Sequence, residues 1–159
     1  MLPDAVTALI KEREGFEPKA YRDSLGFLTG GWGHKLTPND PYKRGEAIPQ
    51  DVLDSWFSHD LLRARLIAQG QAAQIGEPRL IDPLTAVAFQ MGTKLQTEFH
   101  HAWAALLSHD WQLAANEVEA GGGPGGKSNW YLETPTRVKD FQAALRSLIQ
   151  PPTNADVIE

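Results

Sequence analysis

One uninterrupted helical pattern constrains the fold of this 159-residue chain more than any other feature. After Pro49, the pattern is that of a helix as far as about Gln74, and Gly76 and Pro78 then end it. Its apolar side is predicted to consist of Leu53, Trp56, Phe57, Leu62 and Leu66. About 25 residues at 1.5 Å each span roughly 38 Å, whereas a globule of this length has a radius of gyration of only about 15 Å. The helix is therefore predicted to cross the whole molecule and to join two lobes.

The residues before this helix predict a short helix and then a small sheet. Pro3 suits a first helical position, and apolar residues recur at helical spacing up to a predicted helix end at Glu14, next to Gly15. Residues 20–36 are aromatic and glycine-rich, which is typical of hairpins. Residues 37–45 are polar and are predicted to form a loop.

The residues after the long helix predict a helical lobe. Four segments have the pattern of short helices, at residues 83–91, 98–107, 111–120 and 135–148. The chain is thus predicted to be α+β and mainly helical, and to form a single domain over residues 1–159. Its parts are a small lobe at about 15–48, a connecting helix at about 49–74, and a helical lobe at about 75–150 that includes the first helix.

Charge and composition exclude several classes of protein. The chain has 15 basic and 20 acidic residues and a net charge of −5, which argues against nucleic acid as a partner. It has no cysteine, so disulfide frameworks and thiolate metal sites are excluded. No signal peptide or membrane-spanning segment is visible, and no stable membrane insertion is expected.

The glycine-rich segment GGGPGGKS at 121–128 fits the phosphate-loop pattern. That chemistry requires a buried strand before the loop and a helix directly after it, so that amide groups converge on phosphate. Residues 111–120 have a helical pattern instead, and residues 129–134 are a poor helix start. A flexible connection is the favoured interpretation, and nucleotide binding remains an alternative.

The five histidines do not predict a metal site, because zinc needs ligands that converge on one point. His100 and His101 are adjacent and point apart on a helix, and the others have no ligand-type partner at helical spacing. A serine nucleophile would need a G-x-S-x-G elbow, which the chain lacks. Neither a metal nor a cofactor is expected.

Glu14, Asp23 and Thr29 are the strongest candidates for chemistry. Glu14 shares a helix face with apolar residues and lies in the last turn, where unpaired carbonyls carry partial negative charge; both surroundings favour the protonated carboxyl. Asp23 falls in a polar hairpin, where hydration keeps it ionised, and Thr29 can hold a water beside it. Two carboxyls in such different surroundings are the acid and base of glycoside hydrolysis. A solvated helix end and a turn aspartate are the structural alternative.

The segment that carries these residues has a family resemblance. Glu14-x8-Asp23-x5-Thr29 lies within REGFEPKAYRDSLGFLTGGWGH, and FQMG at 89–92 and WYLETPTRVKDF at 130–141 follow in the family's order. The chain resembles the T-even type phage lysozymes of glycoside hydrolase family 24 over about residues 5–148.

The resemblance implies a lysozyme-like fold and a muramidase that cuts between N-acetylmuramic acid and N-acetylglucosamine in a cleft between the two lobes. Glu14 would then be the general acid, Asp23 would support the water or the cationic sugar, and Thr29 would position that water. Inversion at the anomeric carbon is expected.

The resemblance also implies roles for five residues outside this triplet. Gln90 and Trp130 correspond to a substrate-binding pair in the helical lobe, and Arg137 to the arginine that pairs with the catalytic glutamate. His34 corresponds to a histidine ion-paired with an aspartate on the connecting helix, here Asp60, as a structural pair.

Several features depart from the T-even pattern. The stretch from His34 to Asp60 is shorter, so the small lobe is trimmed, and Glu133 replaces a glutamine. The glycine run at 121–126 is an insertion at the cleft rim. The chain is acidic, whereas many lysozymes are basic and are attracted to the anionic wall over long range.

Arg13 and Asp140 depart from the T-even pattern together. T-even lysozymes carry an acidic residue at the first position and a basic residue at the second, so the two signs are exchanged. A paired exchange predicts that the side chains touch across the lobes and help to aim Arg137 at Glu14. Two independent surface changes are the alternative.

Together these features predict a monomeric phage endolysin that hydrolyses peptidoglycan and lyses the host. Because no export signal is visible, it is expected to accumulate in the host cytoplasm and to reach the wall through a holin-type membrane lesion. A virion-carried lysozyme and a non-catalytic wall-binding relative remain alternatives.

Overall fold

The computed structural model describes residues 4–121 and 124–149 and has a mainly helical α+β architecture, which confirms the predicted fold class. Short 3₁₀ turns at Pro78–Leu80 and Pro124–Gly126 accompany the main elements. Those elements are, in chain order, α1 (Ala5–Glu14), β1 (Glu17–Arg22), β2 (Leu28–Gly31), β3 (His34–Lys35), α2 (Gln50–Ile75), α3 (Ile81–Met91), α4 (Lys94–Thr97), α5 (His100–Leu107), α6 (Trp111–Glu119), α7 (Asn129–Glu133) and α8 (Pro135–Ser147).

Helix α2 is the long helix that the sequence predicts, and its ends fall one residue from the predicted ones. Its 26 residues extend about 39 Å at 1.5 Å each. Gly76 ends it in the left-handed conformation, with φ at 79°, and donates its N–H to the Ala72 carbonyl at 2.8 Å. In its first half Leu53 packs near the sheet, whereas in its second half Ala68 lies in the helical core. Leu62 and Leu66 are exposed, so their predicted place on the same side as Leu53 is wrong: nine residues at about 100° each put Leu62 on the opposite side of the helix.

The sheet is antiparallel, with strand order β1, β2, β3. Tyr21 pairs with Thr29, and Gly30 pairs with His34. A Cβ on Gly30 would lie 2.6 Å from Ile48 Cδ1, so glycine lets β2 pack directly against the chain that leads into α2. The sheet begins at Glu17 rather than at residue 20. Because Ala20 is the single buried residue of β1, this strand has no alternating pattern that could predict its start.

Three apolar clusters hold these elements together. The largest lies among the helices after residue 67 and includes Leu84, Val118 and Phe141. A second joins α1 to α2 and α3, and a third joins the sheet to the start of α2. Trp32 packs against both smaller clusters, so it links the sheet to the helices.

Two local predictions need correction. Residues 129–134 are not a poor helix start, because the Ser128 hydroxyl accepts a hydrogen bond from the Tyr131 N–H at 3.1 Å and so caps the five-residue helix α7. Helix α1 begins at Ala5 after an Asp4 cap, whose carboxylate accepts the Val6 N–H at 3.1 Å. The predicted first helical residue, Pro3, lies outside the described residues.

Within the described ranges, no helix is both long enough and apolar enough to cross a bilayer.

Candidate active site

Glu14 lies at the C-terminal end of α1 and is held by an arginine from α8. Arg137 Nη1 donates to Glu14 Oε1 at 2.6 Å, and the two side chains are only 17% and 16% exposed. Arg137 Nη2 donates to the Arg13 carbonyl at 2.9 Å, so one guanidinium binds both the Glu14 carboxylate and the C-terminal end of α1. The nearly buried carboxylate therefore has a fixed position and a partner of opposite charge.

A second ion pair lies beside the first. Arg13 Nε donates to Asp140 Oδ2 at 2.8 Å, and Arg13 Nη2 donates to Asp140 Oδ1 at 3.2 Å. This bidentate contact joins α1 to α8, and it confirms the contact predicted from the paired exchange of sign.

The turn between β2 and β3 approaches Glu14 from the other side. A Cβ built on Gly33 would lie 2.8 Å from Glu14 Oε2, and the φ of Gly33 is +77°. Glycine is therefore needed at this position both for the backbone conformation and for the space that the carboxylate occupies.

Asp23 is fixed by the turn between β1 and β2. Its Oδ1 accepts hydrogen bonds from two main-chain amides of that turn, at 2.9 and 2.8 Å. Thr29 is 3% exposed, and its hydroxyl donates at 3.0 Å to a main-chain carbonyl of the same turn. The threonine oxygen can still accept a hydrogen bond from a water, and Asp23 keeps its second carboxylate oxygen for another contact.

Tyr21 lies near both candidate catalytic carboxylates. Partial burial and the nearby carboxylates of Asp23, Glu14 and Glu17 raise the pKa of Tyr21 above its ordinary value. Both candidate catalytic carboxylates therefore act on the same phenol, which pairs directly with Thr29 across the sheet.

A cavity of about 250 Å³ opens beside Glu14. Sequence reasoning did not name its aromatic and acidic walls, although both aromatic residues lie two positions from a candidate catalytic carboxylate, which is a usable signal. Its lining consists of Glu14, Gly15, Phe16, Glu17, Tyr21 and Gly31.

Gln90 and Trp130 are in contact in the helical lobe. The Trp130 indole N–H donates to Gln90 Oε1 at 2.9 Å, and Gln90 Nε2 donates to the Thr134 hydroxyl at 2.9 Å. Trp130 is 6% exposed and packs edge-on to Phe99, so most of its ring belongs to the core. Gln90 is the more accessible member of the pair.

A second cavity, of about 260 Å³, lies between α1, α3 and α8, and Glu14 is also among the residues that line it. Small side chains such as Ala86 and Ala144 line it, together with Trp130 and Arg137. Apolar packing between α1 and α8 is thus incomplete, and the guanidinium groups of Arg13 and Arg137 join the two helices there.

His34 and Asp60 lie away from the Glu14 cavity and join β3 to α2. His34 Nδ1 is 2.8 Å from Asp60 Oδ2, and the imidazole stacks on Trp56 with the ring centroids 4.4 Å apart. The contact ties the sheet to the connecting helix.

The glycine-rich segment does not have the geometry of a phosphate loop. Helix α6 precedes it where a strand is required. Lys127 Nζ contacts Glu119 Oε2 at 2.6 Å, which raises the pKa of Lys127 and lowers that of Glu119, and the Ser128 hydroxyl donates to the Val118 carbonyl at 2.8 Å. Two members of the predicted rim insertion, Gly122 and Gly123, lie outside the described residues.

Across the described ranges, no group of three or more acidic, histidine or cysteine side chains could hold a metal ion.

The sequence model described as phage lysozyme matches residues 11–127. The chain belongs to the phage lysozyme family. No curated protein matched the chain in sequence.

As a phage lysozyme, the chain has a muramidase-like function, that of a glycoside hydrolase acting on peptidoglycan. The matched range contains the Glu14 cavity and the turn that holds Asp23. It ends before Trp130 and Arg137, so the roles of these two residues depend on their contacts alone.

Proposed function

We propose that this phage lysozyme is an endolysin that hydrolyses the β-1,4 bond between N-acetylmuramic acid and N-acetylglucosamine and so lyses the host cell. The observation that carries the proposal is the nearly buried Glu14 carboxylate, paired with Arg137 at 2.6 Å and lining a cavity that can admit a sugar. The enzyme acts as a single monomeric catalytic domain over residues 1–159, without metal or cofactor.

In the proposed reaction, the Glu14 carboxylic acid donates its proton to the glycosidic oxygen while the bond from that oxygen to the anomeric carbon breaks. A water held by Thr29 attacks the anomeric carbon from the opposite face and gives up a proton to Asp23. The attack from the opposite face inverts the configuration of that carbon.

The other residues hold this arrangement. Arg137 fixes the Glu14 carboxylate, and Gln90 with Trp130 binds the substrate on the helical side of the cleft. The ion pair of His34 and Asp60 is structural and keeps the sheet in place.

We further propose that the enzyme accumulates in the host cytoplasm and reaches the periplasmic wall by holin-dependent release. A virion-associated lysozyme would carry the same site. Expression of the lysozyme in host cells with and without a holin tests the release route, because holin-dependent release predicts lysis only when the holin is present. Detection of the protein in purified virions would instead assign the virion-associated role.

The chemistry is tested by incubating the protein with purified peptidoglycan and identifying the products. We expect fragments with N-acetylmuramic acid at the new reducing end, released initially as the inverted anomer. Glu14→Gln should reduce the rate by about 10²- to 10⁴-fold, the usual contribution of proton transfer, and Asp23→Asn should be almost as damaging. Full activity of folded Glu14→Gln would exclude the proposed acid.

A further inference from the structure

Phe16 exposes an aromatic ring inside the cavity that contains Glu14. The residue is 46% exposed, and it lines the cavity two residues after the candidate acid. The other cavity walls offer carboxylate, hydroxyl and main-chain groups. The cavity thus combines one apolar face with a polar rim.

The Phe16 ring is part of a group of aromatic side chains from the small lobe and α2. It packs on Trp32 with the ring centroids 4.6 Å apart, and Trp32 meets Phe57 edge-on at 5.2 Å. The Lys11 ammonium lies 4.4 Å from the Trp32 ring centroid and 4.8 Å from that of Phe57. These contacts fix one face of Phe16 against the small lobe, so that binding on the cavity side costs little side-chain entropy.

A pyranose ring fits these surroundings chemically. Its C–H face is apolar and packs on an aromatic ring, whereas its hydroxyl and acetamido groups lie at the edge and need polar partners such as Glu17 and Tyr21. The cavity volume of about 250 Å³ is near the lower end of the range for small-molecule sites, which suits one sugar ring.

We propose that Phe16 is a sugar-stacking surface that binds one N-acetylhexosamine ring of the glycan next to the bond that is cut. This inference rests on the proposed function, since the sugar belongs to the same peptidoglycan strand. Phe16 contributes to substrate affinity and not to proton transfer, so its loss weakens binding without slowing the chemical step.

The test uses affinity for a soluble tetrasaccharide of alternating N-acetylglucosamine and N-acetylmuramic acid. Binding is measured by calorimetric titration in the Glu14→Gln background, where the ligand is not cleaved. Adding Phe16→Leu should raise Kd about three- to tenfold, equivalent to about 0.7–1.4 kcal/mol at 1.4 kcal/mol per tenfold. Phe16→Tyr, which keeps the ring, should bind like the parent.

Leu66→Ala is the control for loss of an exposed apolar side chain. Leu66 is 60% exposed on α2, does not line the cavity and makes no contact with the turn between β1 and β2. We expect it to leave Kd unchanged. In the active enzyme, Phe16→Leu should raise KM by the same factor and change kcat by less than about twofold.

Parental affinity of Phe16→Leu would overturn the stacking surface. Equal weakening by Leu66→Ala, or failure of Phe16→Tyr to bind like the parent, would overturn it too. A large fall in kcat with KM unchanged would overturn it as well. These outcomes are distinct from failure of the proposed function, in which Glu14→Gln would still cleave peptidoglycan.

Discussion

Arg13 and Asp140 form a bidentate ion pair between the first and the last helix of the described chain, with N···O distances of 2.8 and 3.2 Å. The Arg13 carbonyl also accepts a hydrogen bond from Arg137, the residue that holds Glu14. The pair therefore fixes the helix end from which the candidate acid projects. Its two side chains are about 30% exposed, so solvent screens the attraction between them.

The coupling between these two residues can be measured in a double-mutant cycle. We expect Arg13→Asp and Asp140→Arg each to lower the midpoint of thermal unfolding modestly, because each places like charges together. The double reversal should recover most of the loss, since it restores an opposite pair. Strictly additive losses in the double variant would show that the two side chains do not stabilise each other.

Gly33→Ala is expected to reduce activity far more than stability. The new methyl group would lie 2.8 Å from Glu14 Oε2 and displace the carboxylate, and a displacement of about 1 Å can cost about 100-fold in rate. Gly45→Ala is the matched control, because Gly45 has a similar φ of +85° and open space around its Cα. Unfolding midpoints and initial rates of peptidoglycan cleavage should be compared for both variants. Equal activity in the two variants would contradict contact with Glu14.

Filling the cavity between α1, α3 and α8 should stabilise the protein. Ala144→Leu adds apolar volume to a space of about 260 Å³, and cavity filling commonly adds about 0.5–2 kcal/mol to the free energy of unfolding. Ala143→Leu is the control, because Ala143 is the exposed neighbour on the same helix. Urea denaturation of both variants checks the prediction, which fails if Ala144→Leu gains no more than Ala143→Leu.

Glu77 should make stability depend on pH in the acid range. Its carboxylate accepts hydrogen bonds from the Arg79 guanidinium at 2.8 and 2.9 Å, which lowers the pKa of Glu77 from 4.5 to about 2. Because the folded pKa is the lower one, the contribution is complete above about 4.5 and is lost as pH falls towards about 2.

Glu77→Gln should therefore be less stable than the parent at pH 7, and the difference should shrink steadily below pH 4.5. Denaturation curves at a series of pH values measure the difference directly. Glu133→Gln, at an exposed position of α7, is the control. A stability difference between Glu77→Gln and the parent that stays constant down to pH 2 would contradict the assigned pKa.

The elements that could be predicted from sequence are those with a long, regular pattern. Helix α2 repeats its buried positions over 26 residues and ends at a glycine, so its bounds were predicted within one residue. The contact between Arg13 and Asp140 was predicted from charge. Both positions carry the opposite sign to that in T-even lysozymes, and a paired exchange of charge indicates that the two side chains touch, although no pattern near either residue predicts it.

Features that depend on one capping group, or on how several elements pack, were not predicted. The helix at 129–133 depends on one capping hydroxyl from Ser128, and the exposure of Phe16 depends on the positions of Trp32 and Phe57. The cavity of about 260 Å³ is a space left between the helices α1, α3 and α8. It cannot be predicted from the apolar pattern of any one helix, because it depends on how the three pack together.

The pairing of Glu14 with Arg137 also sets when the candidate acid can be held in place during synthesis. The two residues are 123 positions apart, so a growing chain contains Glu14 long before it contains the arginine that pairs with it. At ribosomal rates of about 5–20 residues per second, that interval is about 6–25 s. A nascent chain interrupted before α8 cannot form this pair, so only a chain that has reached α8 can hold Glu14 as the structure does.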